Sequence, residues 1–215
     1  MRKFFVKWIL GSYIRLFIKQ ISGAENIPKK GAYLIVSNHN SMIDGVGIIY
    51  AVLKKTNRLI GVVTKFRPIR RTRISRFLKT FFEGFARLFI EFISAWEKRV
   101  TDRVAVRLKK GKPMLIFPEG FSNRKKTLFK ARTGAARIAV LSKVPVLPIG
   151  VMNSEKILPR NVYFPRFYRA MIKIGKPFTL EKYYGKENDK AALEEATIVI
   201  MKKISKLCGK EYPIG

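Results

Sequence analysis

The sequence has very few of the side chains that enzymes use for metal or covalent chemistry. Among 215 residues there is one histidine, His39, and one cysteine, Cys208. A single cysteine excludes an intramolecular disulfide and a Cys-x-x-Cys metal site, and one histidine with one cysteine is too few ligands for a typical zinc site. We therefore expect no bound metal, and no second histidine motif accompanies the thiol to make it a nucleophile.

Acidic residues are also scarce. The chain has 14 Asp plus Glu against 45 Lys plus Arg, which gives a formal net charge of +31. Such a field requires an anionic partner. Nucleic acid, an anionic membrane leaflet and a soluble phosphorylated substrate all meet that requirement, and composition alone does not rank them.

Long uninterrupted apolar runs are missing as well. In the first twenty residues, MRKFFVKWILGSYIRLFIKQ, the cations Lys7, Arg15 and Lys19 break the run, so neither a membrane-spanning helix nor a cleaved signal is expected. The remaining apolar residues fall on one side of a helical wheel. The pattern predicts a basic amphipathic helix over residues 1–22, which either lies on a membrane surface or packs on the core of the protein.

A second amphipathic pattern spans residues 73–93. It carries a wide aromatic face bordered by Arg76, Lys79 and Arg87, and its apolar members recur at helical spacing: Phe77, Leu78, Phe81, Phe82, Phe85, Leu88, Phe89 and Phe92. This face is typical of an interfacial helix or of the wall of an acyl-chain groove. Packing within the core is the alternative.

The rest of the chain alternates between strand-like and helix-like patterns. Short β-rich runs are predicted at 33–38, 58–65, 113–117, 144–152 and 169–175. Helices are predicted at 42–54, about 94–110, about 130–142 and 189–207. This alternation predicts an α/β fold, in which helices flank a largely parallel or mixed sheet. Residues 23–215 are expected to form this single domain after the N-terminal helix.

Two polar residues follow strands of this predicted sheet. His39 comes after the first β-rich run and Glu119 after the third. Ligands bind at the carboxyl ends of strands in open α/β sheets, so both side chains are expected in one crevice. No GxSxG elbow, phosphate-binding P-loop or dinucleotide fingerprint is present, and no organic cofactor is expected.

Each of these two motifs also has a purely structural interpretation. In SMID, residues 41–44, Ser41 and Asp44 fit a capping box at a helix N-terminus, and Asp44 would then have no chemical role. In FPEG, residues 117–120, proline and glycine are typical of a turn. Taken singly, the motifs leave both interpretations open.

The motifs are more specific in combination. NHNSMID and FPEG are followed in order by KARTGAARIAV, VPVLPIGV and IKIGKPF. This series resembles the glycerophospholipid acyltransferase family, in particular the 1-acylglycerol-3-phosphate acyltransferases. The resemblance extends over roughly residues 20 to 180.

The resemblance implies direct acyl transfer without a covalent acyl-enzyme. The donor would be acyl-CoA or acyl carrier protein as cosubstrate, the acceptor the free hydroxyl of 1-acylglycerol-3-phosphate, and the product phosphatidic acid. His39 would be the general base and Asp44 its orienting partner. Imidazole suits this role because it changes protonation near neutral pH. Glycerol-3-phosphate and other lysophospholipids are the alternative acceptors.

The resemblance also implies substrate-binding residues. Glu119 and Gly120 correspond to acceptor-site residues of the family, whose members continue this block as Gly-Thr-Arg; here Phe121 and Ser122 follow instead. We assign the acceptor phosphate to Lys65 and Arg124, because phosphate requires a cation. Two prolines of the fourth block are expected to shape the wall of the acyl-donor site: Pro145 and Pro148.

The expected partner of the basic, amphipathic segments is an anionic membrane surface. The protein would then be peripheral or monotopic on the cytoplasmic face, where basic residues meet anionic lipid. The competing hypothesis is a non-enzymatic nucleic-acid-binding or membrane-binding protein that uses runs such as KFRPIRRTRISR at residues 65–76. The aromatic residues of the sequence, however, fall in apolar helical stripes, whereas base stacking uses isolated aromatic side chains. This pattern argues against nucleic acid as the partner.

Overall fold

The computed structural model of the chain describes residues 11–12, 14–64, 91–95, 99–157 and 166–213. The strands of this part of the chain are β1 Ile18–Ser22, β2 Leu34–Ser37, β3 Gly61–Thr64, β4 Glu91–Ser94, β5 Met114–Ile116, β6 Val146–Met152 and β7 Ala170–Ile174. Its α-helices are α1 Met42–Thr56, α2 Val100–Lys109, α3 Gly134–Ser142, α4 Ser154–Ile157 and α5 Lys190–Cys208. Residues 11–12 and 14–17 are also helical.

The strands form one mixed sheet in the order β1-β7-β6-β2-β5-β3-β4. The five strands from β6 to β4 are parallel to one another. Strand β7 is antiparallel to β6, and β1 is parallel to β7. We call the edge where β2 to β6 end the carboxyl edge; β1 and β7 begin at this edge. The predicted α/β fold with a largely parallel or mixed sheet is confirmed.

Both faces of the sheet are covered. In β2, Leu34 and Val36 pack against α2, α3 and α5, whereas Ile35 and the preceding Tyr33 pack on the side of α1. All four side chains are fully buried. A strand with two buried faces is apolar at almost every position, as expected in a sheet with helices on both sides.

The five predicted β-rich runs correspond to β2, β3, β5, β6 and β7, and the predicted helices correspond to α1, α2, α3 and α5. The two edge strands were not predicted. Strand β1 occupies 18–22, where the helix prediction continued to residue 22, and β4 begins at Glu91 within the predicted 73–93 helix. The helical prediction is wrong at these ends because pairing with β7 and β3 outweighs local periodicity. Residues 1–10, 13 and 73–90 lie outside the described residues.

The described helices lack the combined length and hydrophobicity of a membrane span. In the ranges given above, none combines enough residues with enough hydrophobicity to cross a bilayer. We therefore assign no spanning helix within these ranges.

Close packing of α5 on β6 depends on the absence of a side chain at Gly150. A Cβ atom at this position would lie 2.5 Å from the backbone nitrogen of Cys208 and 2.5 Å from the carbonyl carbon of Leu207. We expect Gly150→Ala to lower the free energy of unfolding by about 1–3 kcal/mol, because the helix must move away from the sheet. The measurement is urea denaturation followed by circular dichroism.

Gly45 is the matched control for this substitution. It lies within α1, and a Cβ there would meet no atom within 4 Å. Gly45→Ala should raise the free energy of unfolding by about 0.5–1 kcal/mol, because alanine loses less backbone entropy in a helix. Equal effects of the two substitutions would contradict the close contact at Gly150.

Candidate active site

His39 and Asp44 form a close pair at the carboxyl edge. The distance between His39 Nδ1 and Asp44 Oδ2 is 3.1 Å. The His39 side chain is 23% exposed, and the Asp44 side chain is fully buried. Since Nδ1 faces the carboxylate, Nε2 is the ring nitrogen left to meet a substrate. The pair therefore has the geometry of an oriented general base.

The same carboxylate organises the start of α1. Asp44 Oδ2 also accepts hydrogen bonds from the backbone N–H of Asn40, at 2.6 Å, and of Ser41, at 2.8 Å. Ser41 is the N-cap residue of α1, and Asp44 occupies the third helical position of a capping box. The capping interpretation and the catalytic interpretation are therefore compatible, because one oxygen receives the helix amides and the imidazole.

Two buried asparagines fix the backbone on either side of His39. The Asn38 side chain accepts from the N–H of Val151, at 2.7 Å, and donates to the carbonyl of the same residue, at 2.8 Å. The Asn40 amide donates to this carbonyl as well, at 3.0 Å. These bonds continue the pairing of β2 with β6 beyond the end of β2, so the loop that carries His39 is attached to the sheet on both sides of the imidazole.

The FPEG segment forms a turn immediately after β5. The N–H of Gly120 donates to the carbonyl of Phe117, and Gly120 has a φ of 75°. Proline at the second position and glycine at the fourth are typical of a type I turn, and the positive φ favours glycine. This turn directs Glu119 back into the protein, where it is 3% exposed.

Glu119 contacts the His39 loop directly. Its Oε1 accepts from the backbone N–H of His39, at 3.2 Å. Its Oε2 accepts from the Asn123 side chain, at 2.7 Å, and from the N–H of Phe129, at 2.9 Å. The expected proximity of His39 and Glu119 is therefore confirmed. Both oxygens of the carboxylate are engaged by protein donors, so its contacts join the two loops of the site.

Phe117 adds an apolar contact to the imidazole. The two ring centroids are 4.2 Å apart with an interplanar angle of 25°, which is a stacked arrangement. The backbone N–H of Asn123 donates to the carbonyl of His39. The ring therefore has a carboxylate at Nδ1, an aromatic face on one side and a hydrogen-bonded backbone. This restricts its rotation and keeps Nε2 oriented.

Known proteins share this fold and sequence pattern. Residues 19–152 match the family described as Acyltransferase. The chain belongs to this acyltransferase family.

Curated relatives include the 1-acyl-sn-glycerol-3-phosphate acyltransferase of Borreliella burgdorferi, which is 23% identical over 78% of this chain and 65% of the relative. The chloroplastic 1-acyl-sn-glycerol-3-phosphate acyltransferase of Brassica napus is 31% identical over 71% of this chain and 42% of the relative. The crystal structure of the acyltransferase PlsC from Thermotoga maritima has the same fold, with a TM-score of 0.68, 19% identity and coverage of 95% of this chain and 79% of that one. This chain thus spans less than two thirds of the length of these curated relatives.

Three of the remaining predicted site residues lie in the described part of the chain. Arg124 is exposed in the loop that follows Glu119, and Lys65 lies outside the described residues. Pro145 accepts from the N–H of Leu34 at the opposite edge of the sheet, roughly 15 Å from the end of the strand that leads to His39. Pro148 is buried in β6, an interior strand. The structure brings Glu119 and Gly120 to His39 and does not bring Pro145 there.

Sequence reasoning missed several residues of the candidate site. These residues belong to the two loops described above and make contacts within the site: Asn38, Asn40, Phe117 and Asn123. The signal for the asparagines was present in SNHNS, where polar residues flank the histidine directly after a buried strand. Asn123 gave no such signal, because its role depends on the path of the loop after the turn.

Thiol and metal chemistry depend on the surroundings of Cys208 and of the described acidic side chains. Cys208 is buried, and burial raises the pKa of its thiol, which disfavours the thiolate needed for nucleophilic attack. Within the described ranges, no group of three or more His, Cys, Asp and Glu side chains is arranged to hold a metal ion.

Because His39 is the only histidine, its tautomer is measurable without assignment. We expect nitrogen-15 NMR of histidine-labelled protein to show, for the neutral ring, a proton on Nδ1 and none on Nε2, since Nδ1 donates to Asp44. Asp44→Asn should keep this tautomer. The imidazole and the two backbone amides all donate to Oδ2 of Asp44, and the side-chain oxygen of asparagine can accept in its place. A proton on Nε2 in the unaltered protein would contradict the described pair. Asp102→Asn in α2 is the control, and it should leave the imidazole signals unchanged.

Proposed function

We propose that this acyltransferase moves a fatty acyl group from acyl-CoA or acyl carrier protein to the free hydroxyl of 1-acylglycerol-3-phosphate, which yields phosphatidic acid. The observation that carries the proposal is the partly exposed imidazole of His39 held at Nδ1 by the buried carboxylate of Asp44. The names of the curated relatives, 1-acyl-sn-glycerol-3-phosphate acyltransferases, support this acceptor.

The reaction follows from this pair. Nε2 of His39 removes the proton of the acceptor hydroxyl while the oxygen attacks the thioester carbonyl carbon. The resulting tetrahedral intermediate collapses by breaking the carbon–sulfur bond. The imidazolium then returns the proton to the departing thiolate, so the ester and the free thiol are the products. Asp44 stabilises the transient imidazolium, as a buried carboxylate does in serine hydrolases, and no group of the protein is acylated.

Positive charge near the site supports a phosphorylated acceptor and a polyanionic donor. The loop from Glu119 to α3 contributes five exposed cations: Arg124, Lys125, Lys126, Lys130 and Arg132. A cluster of this kind attracts phosphate groups and raises the rate of their encounter with the site. Arg124 is our candidate for the acceptor phosphate within this loop, together with Lys65. Phe121 and Ser122 stand where family members have Thr and Arg, so the acceptor can differ from that of the family. Glycerol-3-phosphate and other lysophospholipids are therefore the alternative acceptors.

We also propose that the carboxyl edge faces an anionic membrane, with the protein peripheral or monotopic on its cytoplasmic face. The strand pairs support this orientation: Ile18 of β1 pairs with Ala170 of β7, and Met171 of β7 pairs with Met152 at the end of β6. The segments that precede β1 and β7 therefore reach the sheet at the edge that carries His39.

These two segments combine exposed apolar and basic side chains. Before β1, Leu16 is 50% exposed beside exposed Arg15. Before β7, Phe167 is 89% exposed and Tyr168 is 50% exposed, and their neighbours Arg166 and Arg169 are exposed. Aromatic residues between arginines suit the interface of an anionic bilayer. A lipid acceptor would then enter the site without crossing water.

The acyl-transfer proposal is tested with purified protein, acyl-CoA or acyl carrier protein as donor, and lysophosphatidate, glycerol-3-phosphate or lysophosphatidylethanolamine as acceptor. Thiol release is followed. We expect His39→Ala to lower kcat by roughly 10²–10⁴-fold, the usual contribution of a general base. Asp44→Asn should also lower kcat, because the neutral amide no longer stabilises the imidazolium.

The single histidine provides an independent check on this assignment. Diethyl pyrocarbonate should inactivate the enzyme by modifying one histidine, and the lysolipid should protect against it. Near-normal transfer by His39→Ala would refute the assigned base. The absence of transfer from either donor to all three acceptors would refute the proposed reaction.

The membrane proposal is tested by flotation with vesicles of phosphatidylglycerol and phosphatidylcholine. Phe167→Ser combined with Tyr168→Ser should weaken vesicle binding roughly tenfold, because apolar area no longer enters the interface. The control is Val106→Ser. Val106 is also half exposed, but it lies near the end of α2, and the chain after α2 leads to the opposite edge of the sheet. Equal binding by the double variant and the control would contradict the proposed orientation.

A further inference from the structure

The chain returns to the active site after α5. Gly209 has a φ of 69° and ends the helix, and the Ser205 hydroxyl donates to the carbonyl of Lys210, at 2.6 Å. The next residue, Glu211, accepts through its carbonyl from the N–H of Leu128, at 2.8 Å. Residues 209–212, which we call the return segment, are therefore attached at one end to α5 and at the other to the loop that follows Glu119.

Lys210 extends from this return segment between the two loops of the site. Its ammonium donates to the side-chain oxygen of Asn40, at 2.8 Å, and to the backbone carbonyl of Asn123, at 3.4 Å. Both asparagines are fully buried, whereas Lys210 itself is partly buried. Lys202 and Lys206 on α5, by contrast, are exposed. The position of Lys210 thus differs from that of a solvated surface lysine.

Each of its two partners contacts a residue of the site directly. The backbone N–H of Asn40 donates to Asp44 Oδ2, at 2.6 Å. Asn123 donates through its backbone to the carbonyl of His39 and through its side chain to Glu119, at 2.7 Å. A single residue, Asn40 or Asn123, therefore lies between the ammonium and each of three groups: the base, its orienting acid and the glutamate that joins the loops.

We propose that Lys210 is a positioning residue for the reaction at His39. A cationic donor forms stronger hydrogen bonds than a neutral one, and this ammonium holds the loop of His39 against the loop of Glu119. The role rests on the proposed function, because it assigns Lys210 to the same general base. In this proposal Lys210 acts through Asn40 and Asn123, and no contact with the acyl donor or the acceptor is assigned to it.

The kinetic test uses Lys210→Met, which keeps the length of the side chain and removes its charge and its donors. We expect kcat to fall roughly 10- to 100-fold, the range that follows from small displacements of a catalytic group. KM for both substrates should stay near its original value, because the substrate contacts are unchanged. Lys210→Arg should restore part of kcat. Lys206→Met removes a nearby exposed charge and should leave kcat and KM unchanged.

A second measurement does not depend on activity. The imidazole signals of the one histidine should shift or broaden in Lys210→Met and remain unchanged in Lys206→Met. If Lys210→Met does not fold, Lys210→Gln replaces it, since glutamine still donates a neutral hydrogen bond and should give a smaller loss of kcat. Unchanged kcat together with unchanged imidazole signals would overturn the proposal.

The two proposals fail in different ways. If the unaltered protein transfers no acyl group to any acceptor, the proposed function is wrong, and the imidazole signals still decide whether Lys210 orients His39. If His39→Ala abolishes transfer while Lys210→Met equals the control in kcat and in the imidazole signals, only the role of Lys210 is wrong. A parallel loss of kcat and rise of KM in Lys210→Met, without recovery in Lys210→Arg, would also overturn the positioning role.

Discussion

One carboxylate oxygen, Oδ2 of Asp44, is the contact on which the rest of the site depends. It accepts from two backbone amides at the start of α1 and from the imidazole of His39. Burial of an ionised carboxylate is unfavourable unless hydrogen bonds replace its water, and the two amides supply them at 2.6 and 2.8 Å. The acid is therefore held in place by the helix that it caps. Fixing the partner of the histidine consequently requires little further loss of conformational entropy.

Glu119, in the turn that follows the neighbouring strand β5, likewise holds several groups in place. Its carboxylate joins the His39 backbone to the loop after β5, with donors on both oxygens. Two acids in the segments that follow adjacent parallel strands thus have different tasks. Asp44, in the first turn of α1, orients the ring, and Glu119, in the turn after β5, orients the backbone that carries it. The family resemblance assigned Glu119 to the acceptor, and that role stays a prediction beside the bracing contacts described here.

The interior of the fold was predictable from the sequence and its edges were not. β2 and β6 are apolar at almost every position because helices cover both of their faces, so their patterns are unambiguous. β1 and β4 have a strand neighbour on one side only and carry polar residues such as Lys19 and Glu91. At such edges the partner strand, which local periodicity does not reveal, determines the conformation.

The site was predictable to the same degree and for a similar reason. His39, Asp44 and Glu119 follow strands and stand in short motifs, so the sequence indicates them. Asn123 and Lys210 reach the site only through the path of distant loops. No pattern within a few residues of either one points toward His39, and tertiary structure was needed to find them.

The contact between Lys210 and Asn40 joins residues 170 positions apart in the chain. Contacts of such large sequence separation are slow to form from the unfolded chain, because the entropy of closing a long loop is lost before the contact stabilises anything. The α/β core can be complete while this one bond is still open. Catalytic competence would then be acquired at the end of folding, as a step distinct from formation of the sheet.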